Sequence, residues 1–132
     1  FLAQARALAA GDSFPLPSFA AAAEKGDAAI SGGDHAAARA AYEEALAELR
    51  RGTELLSDAE RKAILADPLV QARLQTVRYN LACCLGRAGE LDGAFEQLRG
   101  AIKAGFSDFD HLERDPDLES LRVDPRWKDL RR

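Results

Sequence analysis

Between residues 74 and 85, Leu74, Val77, Leu81 and Leu85 recur at three- and four-residue steps, which gives one helix a single apolar face. Gly89 breaks the pattern, and Leu91, Ala94, Leu98, Ala101 and Ile102 resume it on a second helix. A turn this short forces two helices back to back, so residues 79–105 are predicted to form a helix hairpin. Small residues at Ala82 and Ala94 let the backbones approach, while Leu81 and Leu98 fill the gap. The same punctuation occurs upstream. From Gly33 to Ala38 to Tyr42 to Ala45 the steps are five, four and three residues, and from Gly89 to Ala94 to Leu98 to Ala101 they are five, four and three again.

The rest of the chain fits around these two hairpins. Residues 1–17 read as a short helix over Phe1 to Ala10, with Leu2, Ala5 and Leu8 on one side, ended by Gly11-Asp12 and the Pro15/Pro17 pair. Residues 18–52 form the first hairpin. Ser18 is its expected N-cap, the first helix runs from about 19 to 31, and Gly32-Gly33-Asp34 makes the turn. The second helix runs from about 35 to 51, with Ala38, Tyr42, Ala45 and Leu49 inward. Arg50 and Arg51 suit its last turn and Gly52 closes it. Residues 53–67 are an insertion, in which Ser57-Asp58-Ala59-Glu60 has the form of a capping box ahead of a helix over 58–66, with Ala63, Ile64 and Leu65 available for packing. Residues 68–105 form the second hairpin, its first helix extended from Pro68 to Arg87 behind an Asp67 cap. In residues 106–132, Asp115-Pro116 and Asp124-Pro125 repeat the cap-plus-proline device and predict three short helices near 108–113, 116–121 and 125–131. Phe106, Phe109, Leu112, Leu118, Leu121, Trp127 and Leu130 would close the open end of a helical stack.

Asn80-Leu81-Ala82, Leu85, Gly89, Ala94, Leu98 and Ala101 resemble the tetratricopeptide repeat, a helix–turn–helix unit of about 34 residues. Tyr42 and Leu98 are then equivalent positions 56 residues apart, leaving about 22 residues for the insertion. The resemblance implies an all-α fold of two repeats with an inserted helix, closed by a C-terminal cap. Tyr79 to Cys84, Ala104-Gly105-Phe106 and Asp115-Pro116-Asp117-Leu118 through Leu121-Arg122 are similar to one subgroup in particular. That subgroup is the plastid low-photosystem-II-accumulation type, assembly and repair factors of the thylakoid membrane. The same ending also occurs on bacterial repeat proteins with other attachments. The family's groove-facing slots imply partner contacts at Asp27 in repeat one and at Thr76, Tyr79, Asn80, Cys83 and Arg87 in repeat two. Ala23 and Ile30 occupy two further slots of repeat one. Because Ala23 and Asp27 replace the lysine and asparagine of chaperone-binding members, no carboxylate clamp is expected. Tyr79 is either the aromatic anchor of the groove or a packing residue.

Composition narrows the functional classes. A net charge of −4 lacks the basic stripe that nucleic acid requires. No apolar run approaches a membrane span, and no secretory signal is visible. The chain begins at Phe1 and contains no methionine, so it reads as a piece excised from a longer protein, with a soluble intracellular setting; the resemblance implies a plastid. Cys83 and Cys84 are adjacent on a helix and diverge by about 100°, which disfavours a mutual disulfide. They read as small buried residues or, for the more exposed one, as a redox-sensing thiol. His35 falls at a packing position after the turn. His111 lies among Asp108, Asp110 and Glu113. Neither cysteine has a sequence-local partner, histidines number only two, phosphate loops are missing, and the acidic run from Asp108 to Glu119 lacks the calcium-loop pattern. The expectation is a non-catalytic module without cofactor or metal that binds a protein or peptide partner and scaffolds a larger complex. A self-associating homo-oligomeric module is the alternative.

Overall fold

The computed structural model describes residues 16–130, and the helix expected over Phe1 to Ala10 lies outside them. The described elements are all helical: α1 (Pro17–Ser31), α2 (His35–Thr53), α3 (Asp58–Ala66), α4 (Pro68–Arg87), α5 (Leu91–Lys103), α6 (Phe109–Arg114) and α7 (Glu119–Arg122), with 3₁₀ turns at Pro116–Leu118 and Pro125–Asp129. The chain divides into two compact units between Arg73 and Leu74, a point inside α4.

In the N-terminal unit, α1 begins on Pro17, whose fixed φ and missing N–H suit the first helical position. Ser18, expected as the N-cap, therefore lies inside the first turn, and Leu16 takes the cap position without a side-chain bond. The α1–α2 turn closes on Gly33, at φ +81°. The Gly33 N–H donates to the Ile30 carbonyl at 3.1 Å and the Asp34 N–H to the Ala29 carbonyl at 2.9 Å. This paired closure satisfies carbonyls that the end of α1 would otherwise leave open. Asp34 then caps α2 by accepting the Ala37 N–H at 3.0 Å.

Ala38, Tyr42 and Ala45 are fully buried and Leu49 nearly so, as the spacing requires. Gly26 is needed where it stands, because a Cβ there would come within 2.6 Å of the Tyr42 ring. The end of α2 departs from expectation. Gly52 does not close the helix, which continues to Thr53. The glycine serves close approach instead, since a Cβ would meet Leu16 Cδ2 at 2.5 Å. Buried Thr53 satisfies its hydroxyl on the Leu49 carbonyl at 2.9 Å. The capping box of α3 forms in both directions, with the Ser57 N–H donating to Glu60 at 2.9 Å and the Glu60 N–H to the Ser57 hydroxyl at 3.2 Å. The Ser57 N–H also holds the Glu60 carboxyl below its usual range. Yet α3 buries none of its residues: Ile64 and Leu65 are half-buried, and Ala63 is exposed.

In the C-terminal unit, Leu74, Val77, Leu81 and Leu85 are all buried. The α4–α5 turn repeats the first turn atom for atom. Gly89 sits at φ +79°, its N–H donates to the Gly86 carbonyl at 3.2 Å, and the Glu90 N–H donates to the Leu85 carbonyl at 2.9 Å. The end of α5 does so a third time through Gly105 and Phe106. Alongside the expected Ala94, Leu98 and Ala101, α5 also buries Phe95 completely. The Arg126 guanidinium lies 4.5 Å from the centre of the Phe95 ring and pairs with Asp92 and Asp124. The terminal segment folds as three short pieces, each started by an aspartate. Asp108, Asp115 and Asp124 accept the backbone N–H of His111, Asp117 and Arg126 at 3.1, 2.9 and 2.9 Å. Leu118 and Leu121 are fully buried and Leu112 almost fully.

Candidate functional site

Tyr79, Cys83 and Arg87 recur every fourth residue and so share one face of α4. The structure sets the chain's own terminal segment against that face. The Tyr79 hydroxyl donates to Asp115 Oδ2, and the Cys83 thiol donates to the same oxygen at 3.7 Å. His111 Nε2 lies 3.3 Å from it. The Tyr79 ring stacks on Phe106 at 4.7 Å and 16°, with the His111 ring tilted 5.7 Å away. At the far end Arg87 Nη1 pairs with Asp117 Oδ1 at 2.8 Å. Between them, a Cβ on Gly86 would come within 2.9 Å of Leu121 and 3.0 Å of the Asp117 carbonyl, so the segment lies directly on the helix backbone. The Ser120 hydroxyl donates to the Gly86 carbonyl at 3.2 Å.

Asp115 is the hub. It is only 7% exposed, its Oδ1 accepts the Asp117 N–H at 2.9 Å, and its own carbonyl accepts from Arg122 at 2.8 Å. The same Arg122 nitrogen holds the Leu112 carbonyl at 2.9 Å, which fixes the end of α6 beside the hub. A buried carboxylate is tolerated where several donors converge on it. Burial, followed by the hydrogen bond to Asp115, pushes the Tyr79 phenol well above its ordinary range. Burial, followed by the Asp115 charge, does the same to the Cys83 thiol. A thiol held protonated is a weak nucleophile. Cys83, Asp115 and Asp117 bring three donor atoms within 4.8 Å of one another, but their geometry is that of a hydrogen-bonded latch. Cys84 is buried as well.

The expected groove residues therefore fall into separate groups. Tyr79 and Cys83 are buried against the terminal segment, Arg87 is half covered by its pairing, Thr76 is exposed and Asn80 is half-buried. Asp27 belongs to the N-terminal unit, where it accepts from the Tyr42 hydroxyl at 2.6 Å and from Arg73 at 3.4 Å. Ala23 is fully buried there and Ile30 half-buried. His35 is half-buried, its Nδ1 3.1 Å from the Gly33 carbonyl. By sequence, Asp115 is a capping residue and Phe106 one of the apolar residues of the terminal segment. The one local signal of a larger role was the four-residue step from His111 to Asp115, since the Tyr79 and Cys83 contacts span 36 and 32 residues.

No protein-family profile matches the chain, and no solved structure matches it significantly. A stretch of 61 residues, 46% of the chain, is 31% identical to a chloroplastic protein of Arabidopsis thaliana. The match spans 18% of that relative's length. Among the described residues no helix is long and apolar enough to cross a membrane.

Proposed function

We propose that the chain is a non-catalytic protein-interaction module of the tetratricopeptide type that scaffolds the assembly or repair of a plastid complex, photosystem II in particular. The observation that carries this reading is the recurrence of one hairpin design 56 residues apart, with the same glycine turn and the same two closing bonds. In such repeats the groove-facing side of the first helix holds a partner's extended peptide or helix. The chloroplastic relative supports the plastid setting. On α4 the accessible part of that face is Thr76, Asn80 and Arg87, because the terminal segment covers Tyr79 and Cys83.

A second reading, self-association, is favoured by the apolar residues flanking α3, where Leu55 is 94% and Leu69 46% exposed. The two separate in one experiment. Wild type and a Thr76→Glu/Arg87→Glu variant are used as baits in a thylakoid-containing lysate, with solution mass measured in parallel. Enrichment of photosystem proteins by wild type and its loss in the variant is the expected result. Retrieval of the chain alone, together with a dimeric mass, would replace this reading with self-association.

A further inference from the structure

Residues 108–130 carry eight carboxylates against four arginine and lysine side chains, so this segment alone accounts for the chain's net charge of −4 and the remainder is balanced. The same segment encloses a pocket of about 290 Å³ lined by Phe109, Leu112, Glu113, Trp127, Lys128 and Leu130. Two of the walls are aromatic rings. The Glu113 carboxylate accepts the Trp127 indole N–H at 3.1 Å, which holds a negative charge at the edge of the ring. The volume lies at the lower limit for small-molecule sites and suits a single long side chain.

We infer that this pocket docks a basic partner segment by receiving one of its arginine or lysine side chains. Aromatic faces attract a cation, aliphatic walls accept the methylene stem, and a carboxylate at the rim takes the charged head. The net negative charge of residues 108–130 draws a basic segment toward this part of the chain and disfavours an acidic one. Lys128 opposes the cation and tunes the affinity downward. Thr76, Asn80 and Arg87 do not line the pocket, so the inference stands whether or not α4 binds a partner.

Trp127 is the chain's only tryptophan, so its emission reports on this pocket alone. The probe is the tryptophan-free peptide acetyl-Gly-Ala-Arg-Lys-Arg-Ala-Gly-amide, with a counterpart bearing glutamate at the three basic positions. The expected result is a saturable change in emission with the basic peptide only, weakening about tenfold between roughly 0.05 M and 0.3 M salt. Glu113→Gln retains an acceptor for the indole and weakens binding at least about threefold, whereas Lys128→Gln tightens it by a similar factor. Both residues are exposed, so neither change threatens folding. A flat titration, an equal response to the acidic peptide, or an unchanged affinity in Glu113→Gln would overturn the inference.

Discussion

Two hairpins built on one frame solve the same packing problem in opposite ways. In the first, Gly26 leaves room for Tyr42, a large ring whose hydroxyl must then be satisfied and is, by Asp27 at 2.6 Å. In the second, 56 residues on, the corresponding pair is Ala82 and Leu98, both fully buried, with no polar atom to satisfy. The position of Asp27 corresponds to Cys83, which faces Asp115. The first hairpin thus ends its polar network between its own helices, on Tyr42 with support from Arg73, whereas the second directs it outward to the terminal segment. What differs is less the frame than the destination of one polar contact, and that decides which hairpin face is covered by its own chain.

The comparison is broken most severely at the two large side chains. Tyr42→Ala should cost about 3–5 kcal/mol and Leu98→Ala about 2–5, with Tyr42→Ala the worse because it also removes the hydroxyl that Asp27 accepts. Urea midpoints of both variants check the order. Next comes the pairing itself. Gly26→Ala drives a methyl into the Tyr42 ring and should cost about 1–3 kcal/mol. Adding Tyr42→Leu recreates the Ala/Leu pair of the second hairpin and should recover most of that loss. A double-mutant cycle with no coupling would mean the two hairpins do not share one packing logic.

The covered face gives a smaller, pH-dependent effect. Cys83 and Tyr79 hold their protons more tightly in the folded chain than in the unfolded one. Their contribution is therefore fully present below the ordinary thiol range near about 8.5 and is lost as pH rises above it. Wild type should lose more stability between neutral and alkaline pH than Cys83→Ala does, and equal losses would remove Cys83 from the account. Smallest are the turns. Gly33→Ala and Gly89→Ala place a side chain at φ near +80° and should each cost about 1–2 kcal/mol. Matching melting shifts would sharpen the equivalence of the two turns, and unequal ones would break it.

Much of this was legible in the sequence, for local reasons. Spacing placed the periodic apolar residues of α2, α4 and α5, because residues three and four apart share a helix face. The Ser57/Glu60 box and the aspartates before Pro68, Pro116 and Pro125 marked helix starts, because capping acts over three residues. The misreadings came where a distant or competing residue intervened. Gly52 has the look of a terminator, but its missing Cβ makes room for Leu16. Ser18 was outbid by a proline one residue earlier. On the candidate site, the family resemblance put Tyr79, Cys83 and Arg87 among the groove-facing slots, but their partners lie some 30 residues away and no periodicity encodes them.

The latch on Asp115 also has a consequence during synthesis. Tyr79 is made 36 residues before the carboxylate that covers it. At about 5–20 residues per second, the ribosome leaves the Tyr79 hydroxyl without this partner for roughly two to seven seconds. For that interval the second hairpin lacks a cover that the finished chain supplies.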